Sequence, residues 1–112
     1  MESILETIKE LTEIGIGETT FDKELIVHIN TAIMGLTQMG VGPSEGFEIE
    51  DETSTWQDFL GDNVKKFSAA KTYIYAKVKL AFDSASMAGP LIEVFNRIIA
   101  ESEFRLNLAA ES

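Results

Sequence analysis

The chain has 112 residues and no cysteine, and its 19 acidic and 9 basic residues give a formal net charge of -10. This length suits one domain with a single core, and a hydrophobic fraction of 45% is too high for a disordered chain. We therefore predict one domain over residues 1–112, without disulfides or thiolate metal sites, whose acidic surface disfavours binding to nucleic acid or acidic lipids.

The N-terminal stretch MESILETIKELTEIG carries glutamates where an export signal would be basic. No segment approaches the roughly 18 apolar residues that a membrane-spanning helix needs. We therefore expect a protein of the cytosol that is neither exported nor inserted in a membrane.

Apolar spacing predicts two helices in the first part of the chain. The first covers about 3–14, and Gly15 and Gly17 should end it. The second covers about 21–39, with Thr20 as its N-cap. Its main apolar stripe consists of Leu25, Ile29, Ala32, Ile33 and Leu36. A second, narrow stripe on its opposite side consists of Val27, Met34 and Val41.

A glycine-rich stretch, QMGVGPSEG, follows at residues 38–46. Its glycines are spaced GxGxxxG after a helix and no GK[ST] occurs, so the stretch does not fit a dinucleotide- or phosphate-binding loop. Gly40 suits the left-handed residue that closes a helix, and Pro43 prevents the helix from resuming. We interpret the stretch as a helix stop and a turn into a loop.

The polar stretch 43–54 has no helical period, and the alternation in FEIEDE allows a short extended piece. Its closely spaced acidic residues are Glu48, Glu50, Asp51 and Glu52. They lack the EF-hand pattern, so we predict no metal site.

TWQDFL predicts a short helix, with Thr55 as its cap and Asp58 completing a weaker version of a capping box. Trp56, Phe59 and Leu60 either anchor a partner or pin the loop onto the domain's own core, and we favour the core.

Two further long helices are predicted at about 63–82 and 90–109, the first capped by Asp62 or Asn63 and the second starting at Pro90. The earlier one has two apolar stripes: Phe67, Ala70, Ile74, Val78 and Ala81, and Ala69, Tyr73, Ala76 and Leu80. The last helix should face inward with Leu91, Phe95, Ile98, Ile99 and Leu106, which leaves Phe104 and Leu108 off that face. The predicted fold is all-α: a small bundle of four main helices and one short helix, with a long acidic loop between the second and third long helices.

Two patterns allow contacts with another chain. A second apolar stripe indicates either a central helix, which we favour, or an interface, and Phe104 and Leu108 lean toward an interface. No Lys or Arg occurs between Glu24 and Val64, whereas five of the seven lysines fall between Lys65 and Lys79. The asymmetry fits either complementary faces on neighbouring copies or, as we favour, a solvated loop beside a solvated helix face.

The residues give no basis for an enzyme. His28 is the only histidine, and one imidazole supplies neither a catalytic triad nor a zinc site, so we interpret it as a packed structural residue. We predict no catalytic residues, cofactor or metal.

Segments along the chain, taken in order, resemble the head–tail connector family of tailed bacteriophages and prophages, whose members are also called head-completion, adaptor or DNA-packaging proteins. The segments are HINTAIMGLTQMGVGP, GF, TWQDFLGD, KTYIYAKVKLAFD and EFRLNLAAE. They run from about residue 21 to residue 111, and the ordered set is specific although no single segment is. The chain departs from the family at SASMAG, where paired prolines commonly follow FD, and at Phe104, where Trp is common.

The resemblance implies an all-helical structural protein without catalytic activity. Such proteins form a ring, typically twelvefold, beneath the portal at the capsid vertex. The expected partners are therefore the portal protein, a tail-side connector or stopper protein, and further copies of the chain. DNA passes through the channel without specific binding, and the expected location is the virion, preceded by the host cytoplasm.

We expect interaction residues in two places on such a connector. Glu48, Glu50, Asp51 and Glu52, in the loop 43–54, should line the channel or contact the tail-side protein. Phe104, Arg105 and Leu108 should dock on the portal or on a neighbouring copy. Two alternatives stay open: a stand-alone acidic adaptor or inhibitor that binds a basic host protein, and a small enzyme that uses His28 or a carboxylate.

Overall fold

The computed structural model describes residues 2–15, 17–61, 64–83 and 87–111. These ranges contain the helices α1 (Ile4–Leu11), α2 (Asp22–Gln38), α3 (Trp56–Leu60), α4 (Val64–Asp83) and α5 (Gly89–Glu111). In the described part of the chain there is no β-strand, only an isolated bridge between Ser3 and Thr55. The predicted all-α class is confirmed. The caps predicted at Asp62 and Asn63 lie outside the described residues.

The helix α4 is the centre of the structure and packs on all four other helices. Its buried side chains come from both of its predicted stripes: Ala70, Ile74 and Val78 from one, and Tyr73 and Ala76 from the other. The central-helix interpretation of its second stripe is therefore confirmed, since burial on two sides needs neighbours on two sides.

The chain at the start of α1 and the chain at the start of α3 are joined by hydrogen bonds. The backbone N–H of Ile4 donates to the carbonyl of Ser54 at 3.0 Å, and that of Trp56 donates to Glu2 at 3.2 Å. The indole N–H of Trp56 also donates to the hydroxyl of Thr7 at 3.0 Å in the core. Trp56 and Phe59 are both buried, so the prediction that they anchor the chain to its own core is confirmed. The predicted capping box of Thr55 and Asp58 is present as well.

The end of α1 differs from the prediction that Gly15 and Gly17 stop this helix. The helix ends at Leu11, and Glu13 takes a left-handed φ of 65°. The N–H of Ile14 donates to the carbonyl of Lys9 at 2.8 Å, which together with the bond from Glu13 to Glu10 makes a Schellman motif. Spacing alone overestimated the length of α1, because the left-handed residue that ends the helix is Glu13 and not a glycine.

The start of α2 also differs from the prediction, because Thr20 does not cap it. The N-cap is Phe21, without a side-chain hydrogen bond, while the backbone N–H and the hydroxyl of Thr20 donate to the carboxylate of Glu18. Instead, the buried Lys9 of α1 reaches the first residue of α2 and forms an ion pair with Asp22 at 2.9 Å. This contact ties the two helices together.

The end of α2 agrees with the prediction, since Gly40 has a left-handed φ of 84°. The N–H of Val41 donates to the carbonyl of Leu36 at 2.9 Å, and both side chains are fully buried. The hydrophobic contact typical of a Schellman stop therefore closes this helix onto the core.

The helix α5 begins at Gly89 with Pro90 in its first turn, one residue before the predicted start. Phe95, Ile99 and Leu106 are buried as expected. Leu91 was predicted to face inward, but 44% of it is exposed, so this part of the prediction is wrong. Its position in the first turn places it at the edge of the interface with α4, where the partner helix ends at Asp83.

Candidate assembly surfaces

The loop that joins α2 to α3, residues 39–55, is held closely against the core. Gly42 has a left-handed φ of 83°, and a side chain there would overlap the ring of Phe59. Phe47 stacks on the same ring, with centroids 5.2 Å apart. The glycines of the GVGP segment therefore shape the backbone, as predicted, and Gly42 also makes room for an aromatic anchor.

Asn30 of α2 holds the middle of this loop. Its side-chain N–H donates to the carbonyl of Ile49 at 3.0 Å, and its side-chain oxygen accepts from the N–H of Ile49 at 2.8 Å. The side-chain amide thus pairs with Ile49 as a neighbouring strand would, although no strand forms there. Ile49 is buried, while Glu48 and Glu50 on either side of it are exposed.

This pairing explains the alternation in FEIEDE that the sequence showed. The segment is extended enough for alternate residues to point inward and outward, and its inward residue binds a side chain instead of a second strand. Sequence reasoning missed Asn30, since a polar residue beside the apolar stripe of α2 is compatible with a solvated position. The only signal was that its amide could match one backbone peptide group.

The four predicted acidic residues of the loop, Glu48, Glu50, Asp51 and Glu52, are all exposed. The carboxylate of Asp51 accepts hydrogen bonds from the hydroxyl and the backbone N–H of Thr53, which lower the pKa of Asp51. Among the described residues, no group of three or more histidines and carboxylates is arranged to hold a metal ion. The loop therefore presents a fixed negative surface.

A second surface lies on the side of α5 turned away from the core. Phe104 is 65% exposed and Leu108 is 51% exposed, one turn further along. Together with Arg97, Ala100, Glu101 and Arg105 they line a shallow groove. This outer α5 face, defined by Arg97, Phe104, Arg105 and Leu108, contains all three residues predicted on the terminal helix.

A third surface lies on α2. Val27 is 61% exposed and Met34 is 60% exposed, whereas Val41, assigned to the same narrow stripe, is fully buried. Met34 borders a groove that is also lined by Asn30, Glu45 and Glu48. We call Val27, Met34 and this acidic rim the outer α2 face. Unlike the second stripe of α4, it is not covered by any of the described helices.

Three lysines of α4 make contacts within their own helix. The ammonium group of Lys71 lies 4.8 Å from the ring centre of Phe67, and that of Lys77 lies 5.6 Å from the ring centre of Tyr73. Lys79 donates to Asp83 at 2.7 Å, a hydrogen bond that raises the pKa of Lys79. These local contacts support the interpretation of a partly solvated helix face.

His28 lies among aromatic side chains. Its half-buried ring meets the ring of Phe82 edge-on, with ring centroids 6.5 Å apart. The ring of Phe21 also meets the ring of Phe82 edge-on, with centroids 5.5 Å apart. These are packing contacts between α2 and α4, as expected for a structural histidine.

Comparison with known families settles the class of the protein. The family model described as phage connector protein matches residues 4–112, which is nearly the whole chain. The chain belongs to the phage connector family. No curated protein and no solved structure gives a significant match.

Membership in the phage connector family indicates a structural role at the junction of phage head and tail. It also implies association with portal and tail proteins in general, and a place in the virion. Connectors are structural proteins, and the assignment gives no positive indication of catalysis. None of the described helices has both the length and the apolar character needed to cross a bilayer.

Proposed function

We propose that this connector forms a ring beneath the portal, extends the DNA channel and joins the capsid to the tail, with residues 1–112 acting as one connector domain. The observation that carries the proposal is the pair of unlike apolar faces on different helices. A ring uses heterologous contacts, in which one face of a copy binds a different face of the next. A monomer would gain nothing from exposing Val27 and Met34 on one helix and Phe104 on another.

The acidic loop is proposed to line the channel or to contact the tail-side protein. Glu48, Glu50, Asp51 and Glu52 are exposed and anchored through Ile49, so they present negative charge from a defined position. A negative wall repels DNA phosphates, which lets the duplex slide without specific binding during packaging and ejection. At twelve copies, the ring would carry a formal charge of about -120, which basic partner surfaces or counterions must partly offset.

The terminal helix is proposed to dock on the portal or on a neighbouring copy. Phe104 and Leu108 supply an exposed apolar area, and Arg105 supplies a donor for carboxylates. Leu106 is buried between them, so removing the end of α5 would also damage the core. Point substitutions therefore test the docking better than truncation does.

The deciding experiment is electron microscopy of the protein mixed with its portal. We expect an added ring on the tail side of the portal, and a portal without added density would overturn the proposal. The variant Phe104→Ala/Leu108→Ala should stay folded by circular dichroism and lose this density. The matched control is Asn96→Ala/Asn107→Ala, which changes two other exposed positions of α5 and should keep it.

The alternative from the sequence, an acidic adaptor or inhibitor of a basic host protein, predicts another outcome. It would give a monomer that binds one host partner stoichiometrically and leaves the portal bare. The same mixture therefore separates the two functions.

A further inference from the structure

The outer faces of α2 and α5 lie on opposite sides of the domain. Tyr75 of α4 contacts Phe95 of α5, with ring centroids 5.8 Å apart, while Tyr73 of α4 lies against Gly35 of α2. Both α2 and α5 pack extensively on α4 and make almost no contact with each other in the described part of the chain, so α4 lies between them. The sides of α2 and α5 that are turned away from α4 therefore face away from each other.

The two faces also differ in charge. Both arginines of the chain, Arg97 and Arg105, lie on the outer α5 face and border the groove of Phe104 and Leu108, with one acidic residue, Glu101, beside them. The groove beside Met34 on the outer α2 face is bordered by carboxylates, Glu45 and Glu48. The outer α5 face is thus apolar with a basic rim. The outer α2 face is apolar with an acidic rim at its Met34 end, while Lys23 and Glu24 border Val27 at the other end.

We infer that these faces bind each other between neighbouring copies, so that the outer α5 face of one copy packs on the outer α2 face of the next. The inference rests on the proposed ring and specifies its contact. Phe104 and Leu108 would cover Val27 and Met34, while the arginines would reach the carboxylates at the rim. Arginine suits this role because its planar guanidinium binds a carboxylate through two hydrogen bonds.

The charges disfavour the symmetric pairings that the same apolar residues would otherwise permit. A contact between two outer α5 faces would bring the arginine pairs together, and a contact between two outer α2 faces would do the same for Glu45 and Glu48. Like charges that meet across an interface suppress a wrong pairing. The remaining head-to-tail contact repeats from copy to copy, as ring closure requires.

This arrangement divides the acidic loop into two parts. Glu48 takes part in the contact between copies, whereas Glu50, Asp51 and Glu52 stay available for the channel or a tail-side partner. Asn30 of α2 connects the contact between copies to the loop, because it lines the groove beside Met34 and also anchors Ile49. A neighbouring copy seated in this groove would therefore also fix the position of the loop.

The absence of cysteine allows a direct test by disulfide cross-linking. Met34→Cys and Leu108→Cys chains with different tags are mixed under oxidation, both at high protein concentration and on the portal. We expect a mixed dimer joined through positions 34 and 108, and a ladder of higher multimers from the doubly substituted chain. The matched control pairs Leu108→Cys with Glu10→Cys, an exposed position of α1, and should give no mixed dimer.

The outcomes separate the contact from the proposed function, which is judged by whether unsubstituted protein binds the portal. A 34–108 cross-link in either sample supports the contact, whatever the portal result. Bound protein without this cross-link, or with 108–108 dimers only, overturns the contact and leaves the function standing. If the protein neither binds the portal nor forms the cross-link, both the contact and the proposed function are overturned.

Charge reversal gives a second readout. Arg97→Glu/Arg105→Glu, introduced into the doubly substituted cysteine chain, should reduce the multimer ladder roughly tenfold, and so should Glu45→Arg/Glu48→Arg. The chain that carries all four reversals should recover the ladder, because the charges again match across the contact. A ladder that is unaffected by either reversal, or not recovered by the combination, contradicts the assigned pairing of rims.

Discussion

Replacing Asn30 by Ala should release the loop between α2 and α3 from the core. The change removes both side-chain hydrogen bonds to Ile49, whose N–H and carbonyl would lose their partners beside a buried side chain. A buried polar group left without a partner costs about 1–3 kcal/mol, and a typical hydrogen bond contributes about 1 kcal/mol net. Because Asn30 is only half-buried, water can reach part of the gap, and we expect a loss of about 2–3 kcal/mol.

Amide hydrogen exchange can measure this loss at Ile49 itself. If the loop opens by itself, exchange of the Ile49 amide should accelerate about 30- to 150-fold, since each 1.4 kcal/mol corresponds to tenfold. If opening is coupled to global unfolding, the free energy of unfolding measured in urea should fall by the same amount, which lowers the urea midpoint. Measuring both quantities on one sample distinguishes local from global release.

The matched control is Thr31→Ala, one residue further along α2. Its hydroxyl donates to the carbonyl of Val27 on the exposed side of the helix, so the substitution should change stability by less than about 0.5 kcal/mol. The reasoning is refuted if Asn30→Ala matches this control in both exchange and urea midpoint. In that case, Phe47 and the buried side chain of Ile49 would hold the loop without the amide.

Two further substitutions test how the backbone is shaped. Glu13→Gly should raise the unfolding free energy by about 0.5–1 kcal/mol in a thermal or urea melt, because Glu13 holds a left-handed φ that glycine adopts without strain; a less stable variant would contradict this. Gly42→Ala should lower the unfolding free energy by about 2–4 kcal/mol. The left-handed φ is strained for alanine, and the added methyl group overlaps the ring of Phe59. Gly46→Ala is its control, with a φ of 96° but open space around it, and an equal loss in both variants would show that the contact with Phe59 does not matter.

The proposed contact between copies revises the role of charge in this connector. The sequence offered a match between the acidic loop and the lysine-rich helix. In the structure, Lys71 and Lys77 lie near aromatic rings of their own helix, and Lys79 pairs with Asp83. The two arginines instead border an exposed apolar groove. Arginine beside aromatic and aliphatic side chains is more typical of an interface than a row of lysines is.

The helices themselves could be predicted from spacing, with errors at their ends. The main stripe of α2 is buried as a set because a repeat of three and four residues places its members on one side whatever the partner. The stop at Gly40 was predictable because it depends on a local conformation that favours glycine. The stop at Glu13 was not, since nothing in its side chain signals a left-handed φ.

The assembly surfaces were predicted unevenly. The exposure of Glu48, Glu50, Asp51 and Glu52 followed from their charge, and that of Phe104 and Leu108 from their position off the inward stripe of α5. The anchoring of the loop by Asn30 could not be predicted, since it joins residues 19 positions apart in sequence through a side-chain amide. Leu91 was misassigned because periodicity gives the direction of a side chain without saying where the neighbouring helix ends.

The sequence by itself determined the helical class of this protein, the approximate helix positions, the stop at Gly40 and the acidic character of the loop. All of these follow from local spacing, turn chemistry and charge. Only the tertiary structure decided which apolar stripes are buried by other helices of the same chain. Tyr73 and Ala76 of the second stripe of α4 are buried because helices pack on both sides of α4, while Val27 and Met34 have the same kind of pattern and remain exposed. Burial depends on what lies opposite a residue, and that is a property of the assembled chain.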